Sequence, residues 1–182
     1  MFYPKTQTSL GSGHYTAHWT GDNYSRWEDL KYSIASQINL NIFGITTAGA
    51  DVCGFTGRTS EGQCIFKDFA EKLFILENTK KDLCVRWHQA GAYLYTFYRN
   101  HNFKYSAEQN PTVFTQDGQR KIANSIFARY QLSPYMYSLL YKSQFGEMVI
   151  RPVTFEFDFE GIRYLIYNRV LFDFQIDLQW IL

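Results

Sequence analysis

Hydrophobic positions at Trp27, Leu30, Ile34 and Ile38 recur at helical intervals, and Ser25 and Glu28 stand at the spacing of a capping box. The pattern predicts a helix from about Ser25 to Asn39. Ile42 to Ala48 is short, apolar and rich in β-branched residues, which predicts a strand buried on both faces, and it runs into Gly49-Ala-Asp-Val-Cys-Gly-Phe55. A helical stretch over Asp82 to about Gln89 precedes Tyr93-Leu-Tyr-Thr-Phe-Tyr98, which reads as another buried strand ending at Arg99-Asn-His-Asn102. Gln119 to Tyr130 reads as a helix with Ile122, Ile126 and Tyr130 inward, and Ser133-Pro134 as the cap and first turn of a further helix closing near Gly146. From Met148 the character changes: Val149, Ile150, Val153, Phe155 and Phe157 open a β-rich tail, with Tyr164 to Tyr167 and Val170 to Ile176 as further strands.

Strand, polar loop, helix is the grammar of parallel α/β units, and polar residues gathered after successive strands are where a (β/α) barrel keeps its chemistry. Asp22, Asp51 and the Arg99 to Asn102 run all stand in such places. A complete barrel needs about 250 residues, and the chain has 182. The expected fold is therefore α/β: the C-terminal part of a (β/α)8 TIM barrel over residues 1–146, followed by the first strands of a β-sandwich domain over 147–182.

Composition narrows the partners. A net charge of +1 with no lysine or arginine cluster leaves no electrostatic footprint for nucleic acid. No apolar run approaches the roughly 18 residues of a membrane span. Aromatic residues make up 19% of the chain, enough to serve as core mass or as platforms for sugar faces. Three cysteines, Cys53, Cys64 and Cys84, permit at most one intrachain disulfide. No signal-peptide core follows Met1, and the cysteines and histidines are not spaced as metal ligands. Trp27, Trp87 and the tyrosines from Tyr130 to Tyr141 read as core, and His14, His18 and His88 as structural.

Several long segments in order carry a resemblance: Gly13-His-Tyr-Thr-Ala-His-Trp-Thr-Gly-Asp-Asn-Tyr-Ser-Arg-Trp-Glu-Asp-Leu30, Phe43-Gly-Ile-Thr-Thr-Ala-Gly-Ala-Asp-Val-Cys-Gly-Phe55, Leu83-Cys-Val-Arg-Trp87, Gly91-Ala92, Arg99-Asn-His-Asn102, Arg129-Tyr130 with Pro134-Tyr135, and Arg151-Pro152. With these the chain resembles glycoside hydrolase family 31, the α-glucosidases, in the maltase-glucoamylase, sucrase-isomaltase and lysosomal acid α-glucosidase branch. The resemblance implies hydrolysis of terminal α-1,4-linked glucose with retention by two carboxylates, one attacking the anomeric carbon and one protonating the departing oxygen, about 5 to 5.5 Å apart. It implies Asp22 as the acid/base, whose pKa must rise from the free value near 3.9 to do this work. Trp19 and Phe55 are implied as pocket walls, and Asp51 and His101 as residues that bond the hydroxyls of the terminal glucose. The implied ligands are α-glucosides such as maltose, malto-oligosaccharides or the ends of glycogen and starch. The implied compartment is the secretory pathway; no cofactor and no metal are implied. Cys53 is implied in a disulfide that braces the loop of Asp51, with Cys64 or Cys84 as its partner.

The chain also departs from the family. The nucleophile's Trp-x-Asp-Met-Asn-Glu segment occurs nowhere in it, and Thr6-Gln-Thr-Ser-Leu10 stands where the family has Ser-Arg-Ser-Thr, without the arginine. Cys64 follows Cys53 by the family's own spacing, yet Leu83 resumes the motif, so Ile65 to Lys81 reads as an insertion, from a retained intron or gene-model error first and a surface loop second. The expectation is a partial chain that carries the acid/base but not the nucleophile; the alternative is an inactive truncated remnant or a sugar-binding pseudoenzyme. Without the motif around it, Asp22 would read as a carboxylate easing a helix dipole, Asp51 as a loop acid and His101 as a structural histidine. Asn23-Tyr-Ser25 matches the glycosylation acceptor pattern, but inside the expected cleft it is expected to stay unmodified.

Overall fold

The computed structural model describes residues 16–55, 71–102, 108–152 and 155. The chain divides into two compact units, Met1–Ile150 and Arg151–Leu182. The expected strands beyond Phe155 lie outside the described residues. Val149 and Ile150, expected to open the β tail, instead form a bend.

In the first unit, strands β1 (His18–Trp19) and β2 (Ala48–Gly49) pair in parallel, with His18 opposite Ala48 and Trp19 opposite Gly49. A third extended segment lies on the other side of β2. There Phe97 N–H donates to the Ala48 carbonyl, Val52 N–H donates to the Arg99 carbonyl, and Asp51 bridges to Arg99 in parallel register. Gly49 permits this approach, since a Cβ there would lie 1.8 Å from the Phe97 carbonyl oxygen. Between the three segments run helices α1 (Trp27–Ile42) and α2 (Glu71–Leu94), and α3 (Gln116–Ser143) follows. The order is the strand and helix alternation that the sequence predicts, with boundaries that differ for physical reasons.

Helix α1 does not use the expected capping box. Arg26 takes the cap position without a side-chain bond, and Asp29 turns back to accept the Tyr24 N–H at 3.0 Å and to pair with Arg26 at 2.7 Å. The helix also runs through Ile42, into the stretch expected to be strand. Gly44 at φ +80 stops it: Ile45 N–H reaches back to the Leu40 carbonyl and Gly44 N–H to the Asn41 carbonyl, the paired bonds of a Schellman end. Buried Asn41 secures this end, because its Oδ1 accepts both the Val149 and Ile150 N–H groups.

Helix α2 likewise continues through Tyr93 and Leu94, so the strand expected over 93–98 shrinks to the extended segment after it. Its later part and the preceding residues from Glu71 are one continuous helix, which takes in the end of the stretch read as an insertion. Two contacts fix where it ends. Tyr95 is fully buried with its hydroxyl bonded to Ser33 and Trp87, drawing the chain back toward α1. Arg129 of α3 then caps the helix, its guanidinium donating to the carbonyls of Gly91, Ala92, Tyr95 and Thr96 at 2.5–3.3 Å. A cation there satisfies carbonyls that the helix cannot and complements its dipole.

Helix α3 is single, although Ser133-Pro134 was expected to start a new one. Proline removes only the bond to the Tyr130 carbonyl, on an exposed turn where water can replace it. The face of α3 that carries buried Ile122 and Ser125 is the one that packs, chiefly against α2. Tyr130, Tyr135, Tyr137 and Tyr141 fall off that face and are exposed, as is Trp27 at the start of α1, contrary to the core role expected of them. Trp87 is fully buried, as expected of core.

Cys53 and Cys84 form a disulfide that fastens the Asp51 loop to α2. His88, one turn beyond Cys84, is buried, with Nδ1 bonded to the Tyr98 hydroxyl, whose own proton burial holds more tightly than usual. Burial lowers the His88 pKa from 6.5 to about 4.

Two stability predictions follow from these contacts. Removing the cap by Arg129→Ala is expected to lower the unfolding free energy by about 2–3 kcal/mol in urea titration. Arg129→Lys should recover only part of it, because a point charge cannot serve carbonyls on both sides of the turn. For His88 the folded pKa lies below the unfolded one, so its contribution is present above pH 6.5 and is lost as pH falls toward 4. With the disulfide intact, the parent chain should lose on the order of 3 kcal/mol more across that window than His88→Gln, a comparison that subtracts the other titrating groups.

Candidate active site

The residues singled out in the sequence sit on the loops that follow the three parallel segments. Trp19 closes β1, Asp22 and Asn23 follow it, Asp51 to Phe55 follow β2, and Arg99 to His101 follow the third segment. Parallel strands present their following loops at one end of the sheet, so this convergence follows from the topology.

Asp51 is the centre of the arrangement. Its side chain is fully buried. Its Oδ2 accepts the Trp19 indole N–H at 3.1 Å, and its Oδ1 accepts the Arg99 Nε–H in an ion pair. The Arg99 guanidinium also lies 4.6 Å over the Trp19 ring, so the three side chains form a closed triangle. Burial raises the Asp51 pKa, against the pull of the Arg99 bond and charge, the Trp19 N–H and the charge of His101.

Asn23 holds the first two loops together. Its amide N–H donates to the Asp51 carbonyl at 3.0 Å, and its Oδ1 accepts the Phe55 N–H at 2.8 Å. Asp22 is thereby carried at the end of a fixed loop, with its carboxylate exposed. The second loop turns through two left-handed residues, Cys53 at φ +72 and Gly54 at φ +87. Gly54 is doubly constrained, because a Cβ would also stand 2.5 Å from the Ser25 nitrogen. Gln109 completes the frame by donating to the Cys53 and Gly54 carbonyls at 3.2 and 2.7 Å, while Asn100 donates to its carbonyl at 2.9 Å.

Phe55 and His101 meet with ring centroids 5.4 Å apart, so two of the expected sugar contacts share one wall. Trp19 and Asp51 are joined directly. The structure thus groups Trp19 with Asp51 and Phe55 with His101, and tethers Asp22 to them through Asn23. Arg99, Asn23 and Gln109 were assigned no role from sequence. Arg99 was open to inference, since a buried carboxylate needs a cation and this one stands at the matching place after the neighbouring segment. Of the two possible partners of Cys53, the structure selects Cys84, and Cys64 lies outside the described residues. His88 lies beside the disulfide, with a ring nitrogen and both sulfurs within 4.8 Å of one another.

Residues 2–139 match the family model for the glycosyl hydrolases family 31 TIM-barrel domain. The chain is 39% identical over 157 residues to lysosomal alpha-glucosidase of Bos taurus, covering 86% of this chain and 14% of that one. It is 39% identical over 153 residues to intestinal sucrase-isomaltase of Homo sapiens, covering 82% of this chain and 7% of that protein. Among solved structures it resembles a glucosidase II alpha subunit in Glc1Man2-bound form, with a TM-score of 0.64 and 31% identity over 78% of this chain and 13% of the other. It also resembles a family 31 alpha-glucosidase from Bacteroides thetaiotaomicron, with a TM-score of 0.61 and 32% identity over 78% of this chain and 21% of the other. The chain therefore spans a small part of these relatives' length. With the parallel segments, the polar loops at their ends and these matches in agreement, the chain belongs to glycosyl hydrolase family 31 and carries part of its α/β TIM-barrel domain.

Proposed function

We propose that this chain supplies the acid/base half of a retaining, exo-acting α-glucosidase. The observation that carries the proposal is the fixed loop end on which Asp22 stands, clamped by Asn23 to the Asp51 loop. In the first step Asp22 gives its proton to the departing glycosidic oxygen, and in the second it takes one from water. The attacking carboxylate comes from outside these 182 residues, which hold no Trp-x-Asp-Met-Asn-Glu segment. Asp51 and His101 bond hydroxyls of the terminal glucose in this reading. Phe55, set against His101, forms the apolar wall. Trp19 is nearly buried and acts chiefly by holding Asp51.

The substrates of this reading are α-glucosides such as maltose, malto-oligosaccharides and glycogen or starch ends. The Cys53–Cys84 disulfide supports the secretory pathway as its compartment. Among the described residues no helix is long and apolar enough to cross a membrane. A second reading, sugar binding without turnover, is favoured by one observation: the hydroxyl-binding residues are present and the nucleophile segment is not. For residues 153–182 the proposal is the opening of a β-sandwich domain.

Expression of residues 1–182 and of the upstream-extended gene, each assayed on an aryl α-glucoside, tests the first reading. Activity is expected only in the extended form, where Asp22→Asn should lower kcat by about 10²- to 10⁴-fold. Full activity in that variant would remove Asp22 from the mechanism. In the same form Asn23→Ala, which unclamps the loop, should lower kcat/KM by up to about 100-fold. Calorimetric titration of the 182-residue chain with maltose, paired with a thermal melt, decides the second reading: a cooperative melt without heat of binding rejects it.

A further inference from the structure

Among the exposed aromatic side chains, Tyr24 stands two residues beyond Asp22 on the loop that follows β1. The side chain between them, Asn23, is committed to the Asp51 loop through both ends of its amide. Asp22 and Tyr24, on either side of it, are exposed. That is the pattern of an extended chain, whose successive side chains point to opposite sides, and Tyr24 itself is strand-like. Asp22 and Tyr24 therefore share a side, about 6.6 Å apart along the backbone.

The ring of Tyr24 is also braced. Its own backbone N–H donates to the Asp29 carboxylate at 3.0 Å, Asp29 pairs with Arg26 at 2.7 Å, and the Arg26 guanidinium lies 4.6 Å over the phenol. The attraction of a cation for the negative face of a ring holds that last contact. Tyr24 nevertheless remains 38% exposed. An aromatic side chain fixed in place before a ligand arrives loses little freedom on binding, which suits it to serve as a platform. No step of the proposed mechanism uses it.

We propose that Tyr24 is the platform for the departing sugar, with the ring face opposite Arg26 stacked on the C–H face of the second glucose of maltose and of longer α-glucans. The inference rests on the reading of Asp22 as the acid/base. An acid that protonates the glycosidic oxygen stands where the released glucose and the departing sugar join. A side chain on the same side of the loop, about one sugar residue farther along, meets the departing sugar rather than the glucose that Asp51 and His101 hold in that reading. Sugar rings carry apolar C–H faces, and a flat aromatic ring pairs with them by removing both surfaces from water. Tyr24 thus favours a sugar as leaving group over a small ion.

Comparison of two substrates in the upstream-extended enzyme tests the proposal: maltose, whose leaving group is a sugar, and α-glucosyl fluoride, whose leaving group is an ion with no face to stack. Tyr24→Ala should lower the ratio of kcat/KM for maltose to that for the fluoride by about 3- to 10-fold, and Tyr24→Phe, which keeps the ring, should restore it. An unchanged ratio in Tyr24→Ala would overturn the platform. Asp22→Asn separates the two readings. If it is impaired on maltose while Tyr24→Ala leaves the ratio unchanged, the platform alone fails; full activity in Asp22→Asn removes the acid/base reading and the platform with it. If Tyr24→Ala does not fold, the crystal structure of the parent enzyme with sulfur-linked maltose decides. The second sugar ring is expected against the Tyr24 phenol, and its placement elsewhere rejects the proposal.

Discussion

A carboxylate with no solvent exposure cannot stand alone, because an unpaired buried charge costs far more than any local contact returns. Asp51 is such a group, and much of the site is arranged around it. Arg99 neutralises one oxygen, the Trp19 indole engages the other, and the Arg99 guanidinium lies over the Trp19 ring. Those partners come from the segments on either side of β2. The ion pair therefore couples side-chain chemistry to strand register: a slip of one residue would turn Arg99 to the opposite face and strand the charge.

That register in turn rests on where α2 stops. Arg129 ends the helix by taking its last carbonyls, and the chain can then lie extended beside β2 with Phe97 bonded to Ala48. Thr96 supports the same junction, accepting the Ala48 N–H at 2.7 Å while its hydroxyl also faces the Thr46 carbonyl. The helix end, the third segment and the Asp51 pair are thus one chain of dependence running from α3 to the candidate site.

How much of this was legible depended on the range of the forces involved. The alternation of elements and the placement of Asp22, Asp51 and His101 on loops could be read, because they follow from local pattern and ordered motifs. The end of α1 was also written locally, in Gly44, but the β-branched residues after it carried more weight than the glycine that terminates the helix. The end of α2 was not legible, since its cap lies 34 residues away from Tyr95 on another helix. Arg99 was missed as the partner of Asp51 for the same reason, since the two stand 48 positions apart in the chain. The exposed tyrosines of α3 show the converse limit: aromatic spacing marks a helix face but does not say which face meets a neighbour.

Asn23 gives the loop clamp a meaning in time as well as in space. Its amide nitrogen is the atom that an acceptor sequence of the type Asn23-Tyr-Ser25 would offer to a glycan, and in the folded chain that nitrogen is donated to the Asp51 carbonyl. Folding and modification therefore compete for one atom. Closing the loop engages that nitrogen in the bond to the Asp51 carbonyl, so the folded clamp holds the acceptor atom in place.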